Sequence, residues 1–265
     1  MSGNLSADSL RAVAESARKR LVQMHFEAGV GHLGGNLSCI DTLLTISHSF
    51  AAPTDEIVLS KGHSAGALYI TLWSLGLIDD DELSTFHGDG TRLAGHPPAK
   101  TLPRVSFGTG SLGHGLSIAA GIALASKFKN ESAQTFCVMS DGEWQEGSTW
   151  EALIFAHHHG LSNLNIFIDK NGLQGFGGTQ DVASMGASFE AKLRAFTPNV
   201  RVVDGHDFEQ LMSCDPASVE RQDPNLPQIN ICETVKGNGI ARFEGKMESH
   251  YLPITKDDFE SFVSR

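Results

Sequence analysis

The sequence predicts an α/β protein, a mostly parallel sheet with helices on both faces. Three observations carry that expectation. Thr135–Met139 and Asn165–Ile168 are apolar runs of strand length, Trp150–His159 between them has helical spacing, and the alternation resumes with Val200–Val203 and Gln228–Cys232. Strands covered on both faces read as unbroken apolar runs, so the central pair belongs inside a parallel sheet with right-handed crossovers.

Taken in order, Ser9–Glu27 reads as an amphipathic helix, with Leu10, Val13, Ala14, Ala17, Leu21 and Val22 on one stripe and Gly29 as its stop. A second helix is expected over Ser38–Phe50, through Ile40, Leu43 and Leu44. Ile57–Leu59 reads as a short buried strand running into Lys61-Gly62-His63, and a helix over Ser64–Leu75 follows at once. Leu116–Phe128 is a further helix, ahead of the central strand–helix–strand unit. Beyond Gly237 no periodicity is visible, so a loop wrapping the sheet is expected there. With no internal repeat, linker or break in composition, residues 1–265 are expected to form one domain.

Composition narrows the function classes. With 40% apolar residues and four Cys in 265 residues, neither a disordered chain nor a disulfide scaffold fits. Cys39, Cys137, Cys214 and Cys232 form no CxxC, so four reduced thiols are expected. A net charge of −11 without a Lys/Arg cluster disfavours nucleic acid and anionic membranes, which demand a basic footprint. No apolar run approaches the roughly 18 residues of a membrane helix, and the N-terminus lacks the basic-then-apolar order of a signal peptide. A cytoplasmic protein is expected.

The 28 glycines concentrate between elements, where the loops at the carboxyl ends of parallel strands line a ligand crevice. Gly108–Gly113 satisfies GxGxxG, but a dinucleotide fingerprint needs a buried strand before it, and the preceding stretch is Pro-rich. The acid expected about 20 residues on is only Glu131, in a polar turn, which disfavours nicotinamide binding.

A stronger constellation is Ser140-Asp141-Gly142-Glu143 followed by Asp169-Lys170-Asn171-Gly172-Leu173. Asp141 and Asn171 stand just past the ends of the two central strands, thirty residues apart, and converge if those strands are neighbours. Each offers a hard oxygen with no Cys or His beside it, which suits Mg²⁺ or Ca²⁺ better than zinc. Mg²⁺ usually completes its shell with water and substrate phosphate, so a phosphate-bearing ligand follows. Gly142 allows close backbone approach, and a helix starting near Ser148 offers its positive end. Asp-Gly and Asn-Gly are also ordinary turn pairs after strands; their matching places favour the metal.

The run DGEWQEGSTWEA, ahead of IDKNGLQ, resembles the thiamine-diphosphate motif in its transketolase form. GHLGGNLSCID, DEIVLSKGHSAGALY, GTGSLGHGLSIAAGIALA, VDGHD, TVKGNGI and KMESHYLP each resemble a transketolase segment, in the same order and over nearly the whole chain. The resemblance implies the diphosphate-binding (PP-type) domain of the thiamine-diphosphate fold. Asp141, Asn171 and the carbonyl of Leu173 would hold Mg²⁺, with Ca²⁺ as a substitute, and Gly142 and Glu143 would belong to the cofactor site. Gly110, Ser111 and Leu112 match the family loop near the cofactor. His32, His63, His96 and His250 match family histidines around the thiazolium and the sugar, His63 and His250 also touching the cofactor. Glu146 and Glu151 match acidic positions at the domain interface. Ser140, Leu33 and Ser249 depart from the family pattern, the last two where the substrate funnel is expected.

The chain holds no counterpart of the family's pyrimidine-binding domain. It therefore resembles the N-terminal subunit of a split transketolase, completed by a separate polypeptide, with two copies of each subunit. The implied reaction moves a two-carbon ketol unit from a ketose phosphate to an aldehyde, the cofactor supplying the carbanion chemistry. A carrier-bound or lipoyl acceptor, or a non-catalytic cofactor-binding module, are the alternatives. His157, His158 and His159 point in different directions on a helix and cannot chelate one ion, and His25, His48, His87, His114 and His206 have no assigned partner.

Overall fold

A computed structural model describes residues 5–186 and 188–264. Helix α1 (Ala7–Ala28) opens on Ser6, whose hydroxyl accepts from the Ser9 amide, and stops at Gly29 in the left-handed region, whose N–H donates to the His25 and Phe26 carbonyls. Its stripe is buried as expected, from Leu10 through Ala14 and Ala17 to Leu21 and Val22. Helix α2 (Leu33–Thr45) passes into a π-helical turn over Ile46–Phe50. It begins five residues before the expected Ser38, because Gly34 and Gly35 are helix interior rather than loop. A Cβ on Gly34 would lie 2.3 Å from Ser249 Oγ, so close packing, not turn geometry, requires that glycine.

Strand β1 (Glu56–Leu59) leads through a 3₁₀ turn (Gly62–Ser64) into α3 (Ala65–Ser74), and a short α4 (Asp80–Leu83) follows. Helix α5 (Gly115–Phe128), β2 (Thr135–Ser140), α6 (Gly147–His158) and β3 (Leu164–Lys170) form the expected central unit. A small antiparallel hairpin, β4 (Leu173–Gln174) with β5 (Gly177–Gly178), comes next, then α7 (Thr179–Val182) and α8 (Phe189–Arg194). Strand β6 (Val200–Asp204), α9 (Phe208–Met212) and β7 (Gln228–Glu233) complete the sheet. The segment after Gly237 is not only loop: it carries α10 (Glu248–Tyr251) and α11 (Lys256–Val263), the latter stacking Phe259 on Phe26 of α1.

The five strands run parallel in the order β1-β2-β3-β7-β6. Alternate residues of each strand feed two cores. Phe136 and Val138 join α1, α2 and α3 on one face, and Cys137 and Met139 join α5 and α6 on the other. All four cysteines are buried and unpaired. Among the described residues no helix is long and apolar enough to cross a membrane.

Candidate active site

Strands β2 and β3 are adjacent, with Ser140 opposite Asp169, so Asp141 and Asn171 leave neighbouring strand ends together. A 3₁₀ turn over Asp141–Gln145 follows β2. The Asp141 carboxylate accepts from the Gly142 and Gly172 amides, each at 3.0 Å. Burial, then the charge of Asp169, pushes its pKa up to about 6, the condition of a carboxylate short of a cation. Asn171 Nδ2 donates to Asp169 Oδ2 (3.1 Å), and its Oδ1 accepts from the Leu173 amide (3.1 Å).

A cavity of about 530 Å³ opens beside these strand ends, lined among others by Gly142, Asn171, Leu173, Lys236, His63 and His250. His96, Gly110, Leu112 and Glu146 also face it, and the His96 ring lies over Gly110. The sequence singled these residues out but not Lys236, which is 2% exposed. Its ammonium donates to the Leu173 carbonyl (3.1 Å) and to His250 Nδ1 (3.0 Å), with no carboxylate in contact among the described residues. Burial, then the charge of Lys61, lowers its pKa to about 8. A buried cation facing a cavity calls for an anion there. The signal was in TVKGNGI, where the lone Lys sits just beyond a strand.

Three histidine rings cluster beyond Lys236, and two of them, His63 and His250, line the cavity while His32 does not. His32 lies 4.9 Å from His250 and 5.9 Å from His63, and the latter two are 5.6 Å apart. His32 occupies the N-cap of α2 with φ +64°, and its amide donates to the His250 carbonyl (3.0 Å), which ties the two segments. Burial, with neighbouring positive charges, lowers all three, His63 well below its ordinary value and His250 to about 3. They are neutral imidazoles at pH 7. Because Lys236 donates to His250 Nδ1, the proton of that ring sits on Nε2, which points past Gly175. Among the described residues, His32 Nδ1 is buried without a hydrogen-bond partner.

Other expected residues take different places. Glu143 is wholly buried: its carboxylate accepts from the Ser140 amide (2.7 Å), the Gly113 amide (3.1 Å) and the Ser60 hydroxyl, bracing the strand-end turn against the glycine loop. Ser140 Oγ donates into the same carboxylate at 3.1 Å. Ser111 faces a separate shallow surface pocket with His114. Leu33 and Ser249 are wholly buried and do not line the cavity. Glu151 is exposed on α6.

Of the histidines without an assigned partner, four have hydrogen bonds, His25 with the Leu21 carbonyl, His48 with Ser74, His114 with the Ser111 carbonyl and His206 with Asp41. His157 is held by the Phe196 carbonyl, and no group of metal-ligating His, Cys, Asp or Glu occurs among the described residues.

Residues 20–265 match the family described as transketolase, thiamine diphosphate binding domain. The chain belongs to that family. It is 33% identical to one subunit of the apulose-4-phosphate transketolase of Phocaeicola vulgatus, over 98% of this chain and 94% of that one. It is equally similar, 33% over 96% and 95%, to a 6-deoxy-6-sulfo-D-fructose transketolase subunit of a Clostridium species. The transketolase structure of Campylobacter jejuni superposes with a TM-score of 0.86 at 25% identity, covering 96% of this chain. This chain spans 42% of that enzyme's length.

The residues present fit thiamine diphosphate with a divalent cation. The hard-oxygen set of Asp141, Asn171 and the Leu173 carbonyl suits Mg²⁺. Gly142 and the buried Lys236 line the cavity, where they would meet a diphosphate's oxygens and charge.

Proposed function

We propose that the chain is the diphosphate-binding subunit of a two-component transketolase. As a single domain, it works in the cytoplasm with a partner subunit that carries the pyrimidine-binding domain, two copies of each. The observation that carries this reading is one cavity lined on one side of Lys236 by Asn171 and Leu173 and on the other by the neutral His63 and His250.

Asp141, Asn171 and the Leu173 carbonyl would hold Mg²⁺ or Ca²⁺. The Gly142 main chain and Lys236 would take the diphosphate, with Gly110 and Leu112 closing over it. Thiamine diphosphate, when bound, supplies the carbanion chemistry that moves a two-carbon ketol unit from a ketose phosphate to an aldehyde. His32, His63, His96 and His250 bind and orient the sugar's carbonyl and hydroxyls. Neutral imidazoles both donate and accept hydrogen bonds, so they can move a proton at a substrate oxygen without placing a permanent charge in the cavity. Glu143 acts through Ser60, Ser140 and Gly113, holding the cofactor loop in place. Glu146 and Glu151 face the partner.

Reconstitution tests this. The chain is mixed with a candidate partner, thiamine diphosphate and Mg²⁺, and offered a panel of ketose phosphates. Turnover is expected only when both polypeptides are present, and robust turnover by this chain alone refutes the two-component reading.

A further inference from the structure

We infer that Asp169 is a positioning residue that fixes which end of the Asn171 amide faces the cation. The inference rests on the proposed cation site. An asparagine amide has one accepting and one donating end, and only Oδ1 can ligate a metal. Something must choose between two orientations of nearly identical shape.

Asp169 makes that choice because it is surrounded by donors. Its Oδ2 accepts from Ser38 Oγ (2.6 Å), from the Lys61 ammonium, and from Asn171 Nδ2 (3.1 Å), while its Oδ1 accepts from Thr234 Oγ1. Lys61 can only donate, and its second bond goes to the Gly35 carbonyl (2.9 Å). An ionised carboxylate is an acceptor only, so the group of Asn171 turned toward it must be the NH₂. Oδ1 is then left on the side away from Asp169, where the Leu173 amide uses one of its two lone pairs, and Asn171 lines the cavity.

An ordinary structural ion pair explains less. The Lys61 and Asp169 side chains are 0% and 2% exposed. Buried pairs of this kind are poor evidence for stability, since well-packed apolar residues serve as well or better. Apolar residues cannot orient an amide. The pair also gathers the segments that frame the cavity: α2 through Gly35 and Ser38, the His63 turn through Lys61, and the Lys236 segment through Thr234. Partners one shell out from a metal ligand are where affinity is commonly tuned.

The test measures Mg²⁺-dependent binding of inorganic diphosphate to the full chain by calorimetry, with near-ultraviolet circular dichroism as the check on folding. Asp169→Asn keeps an acceptor in place: Lys61 and Ser38, which donate to Oδ2, hold the new amide's oxygen there, still facing the NH₂ of Asn171, and its own NH₂ turns to Thr234 Oγ1. Lys61→Met/Asp169→Leu instead exchanges the ion pair for apolar side chains and leaves Asn171 no acceptor, so both amide orientations are populated. Mg²⁺ affinity is expected to fall ~10–100-fold in this apolar variant with the fold retained, and clearly less in Asp169→Asn.

Wild-type affinity in a folded Lys61→Met/Asp169→Leu chain overturns the inference, as does a folded Asp169→Asn chain that binds no better than the apolar variant. If the apolar variant does not fold, Asp169→Asn is read alone: binding near the wild-type level supports the inference and a loss of ~10-fold or more overturns it. Absence of Mg²⁺-dependent binding in the wild type overturns the proposed cation site itself, and this inference with it.

Discussion

The two ends of the cavity are built in opposite ways. At the cation end, Asp141 and Asn171 leave neighbouring parallel strands, and backbone amides two or fewer residues from either ligand already hold their oxygens. At the histidine end, His32, His63 and His250 come from an N-cap, a 3₁₀ turn and a four-residue helix that meet only through tertiary packing. The cation end concentrates charge and needs a counter-charge. The histidine end is neutral, because burial and neighbouring positive charges hold its three imidazoles below their ordinary range. A sheet edge supplies fixed oxygens for an ion, whereas converging turns supply adaptable donors and acceptors for a sugar.

The largest effect that would break this contrast is at Asp141. Asp141→Asn is expected to abolish Mg²⁺-dependent diphosphate binding while changing the melting temperature of the metal-free chain little. Neutralising the carboxylate removes the penalty set by burial and by Asp169, and this offsets the bond lost at one backbone amide, since an asparagine accepts from only one of Gly142 and Gly172. Calorimetry and thermal melts on one preparation check both halves. Retained binding would show that the strand ends are turns and nothing more.

His63→Ala, at the other end, is expected to lower turnover of the reconstituted enzyme by ~10²–10⁴-fold. Mg²⁺-dependent diphosphate binding should stay close to wild type, because the residue serves the sugar end. Steady-state kinetics beside the same titration separates the ends, and full turnover would make His63 a packing residue.

How legible each end was in the sequence follows from the same difference. The strand runs Thr135–Met139 and Asn165–Ile168 are local patterns, and the structure has β2 and β3 there, so the pairing of Asp141 with Asn171 could be read from spacing. The histidines could be gathered only by resemblance to a family, since their segments are far apart in the chain. Gly34 and Gly35 read as loop because glycine usually punctuates helices, and only contact with Ser249 and with His63 and Ser64 reveals why they sit inside one. Lys61, Asp169 and Lys236 were hidden for a further reason: a charged residue in a short motif looks exposed until burial shows its partner. Helices α10 and α11 were missed as well, being only four and eight residues long.

His25 offers an internal control, a buried histidine outside the cluster. Burial lowers its pKa to about 4, against an ordinary value of 6.5, with the Leu21 carbonyl opposing the shift. The unfolded chain therefore binds a proton between those two values that the folded chain refuses. Its contribution to stability is complete above pH 6.5 and is lost as pH falls toward 4, at about 1.4 kcal/mol per pH unit. His25→Gln keeps a donor and does not titrate, so its unfolding free energy is expected to fall less steeply over that window. Denaturant melts at pH 7, 6 and 5 compare the slopes, and identical slopes would mean that His25 is charged in the fold.

The smallest effect concerns a second link between the two ends, beside the one that Lys236 makes. Tyr251, beside His250 on α10, donates its hydroxyl to the Gly175 carbonyl at 2.5 Å, so the histidine segment is pinned to the β4–β5 hairpin that carries Leu173. The tyrosine is 56% exposed and Phe176 at the hairpin tip 89% exposed, so water competes for the bond. A hydrogen bond of this kind contributes about 0.5–1.5 kcal/mol net, and the low end applies where solvent can replace it. Tyr251→Phe is therefore expected to leave global melting unchanged and to speed amide exchange only locally, by less than about tenfold across residues 173–178. Exchange that accelerates equally in the hairpin and around His250 would show a coupling between the two ends. Acceleration confined to the hairpin would show that the histidine end holds its own geometry, through the bond from the His32 amide to the His250 carbonyl. Exchange unchanged in both places would mean that the tyrosine hydroxyl joins nothing.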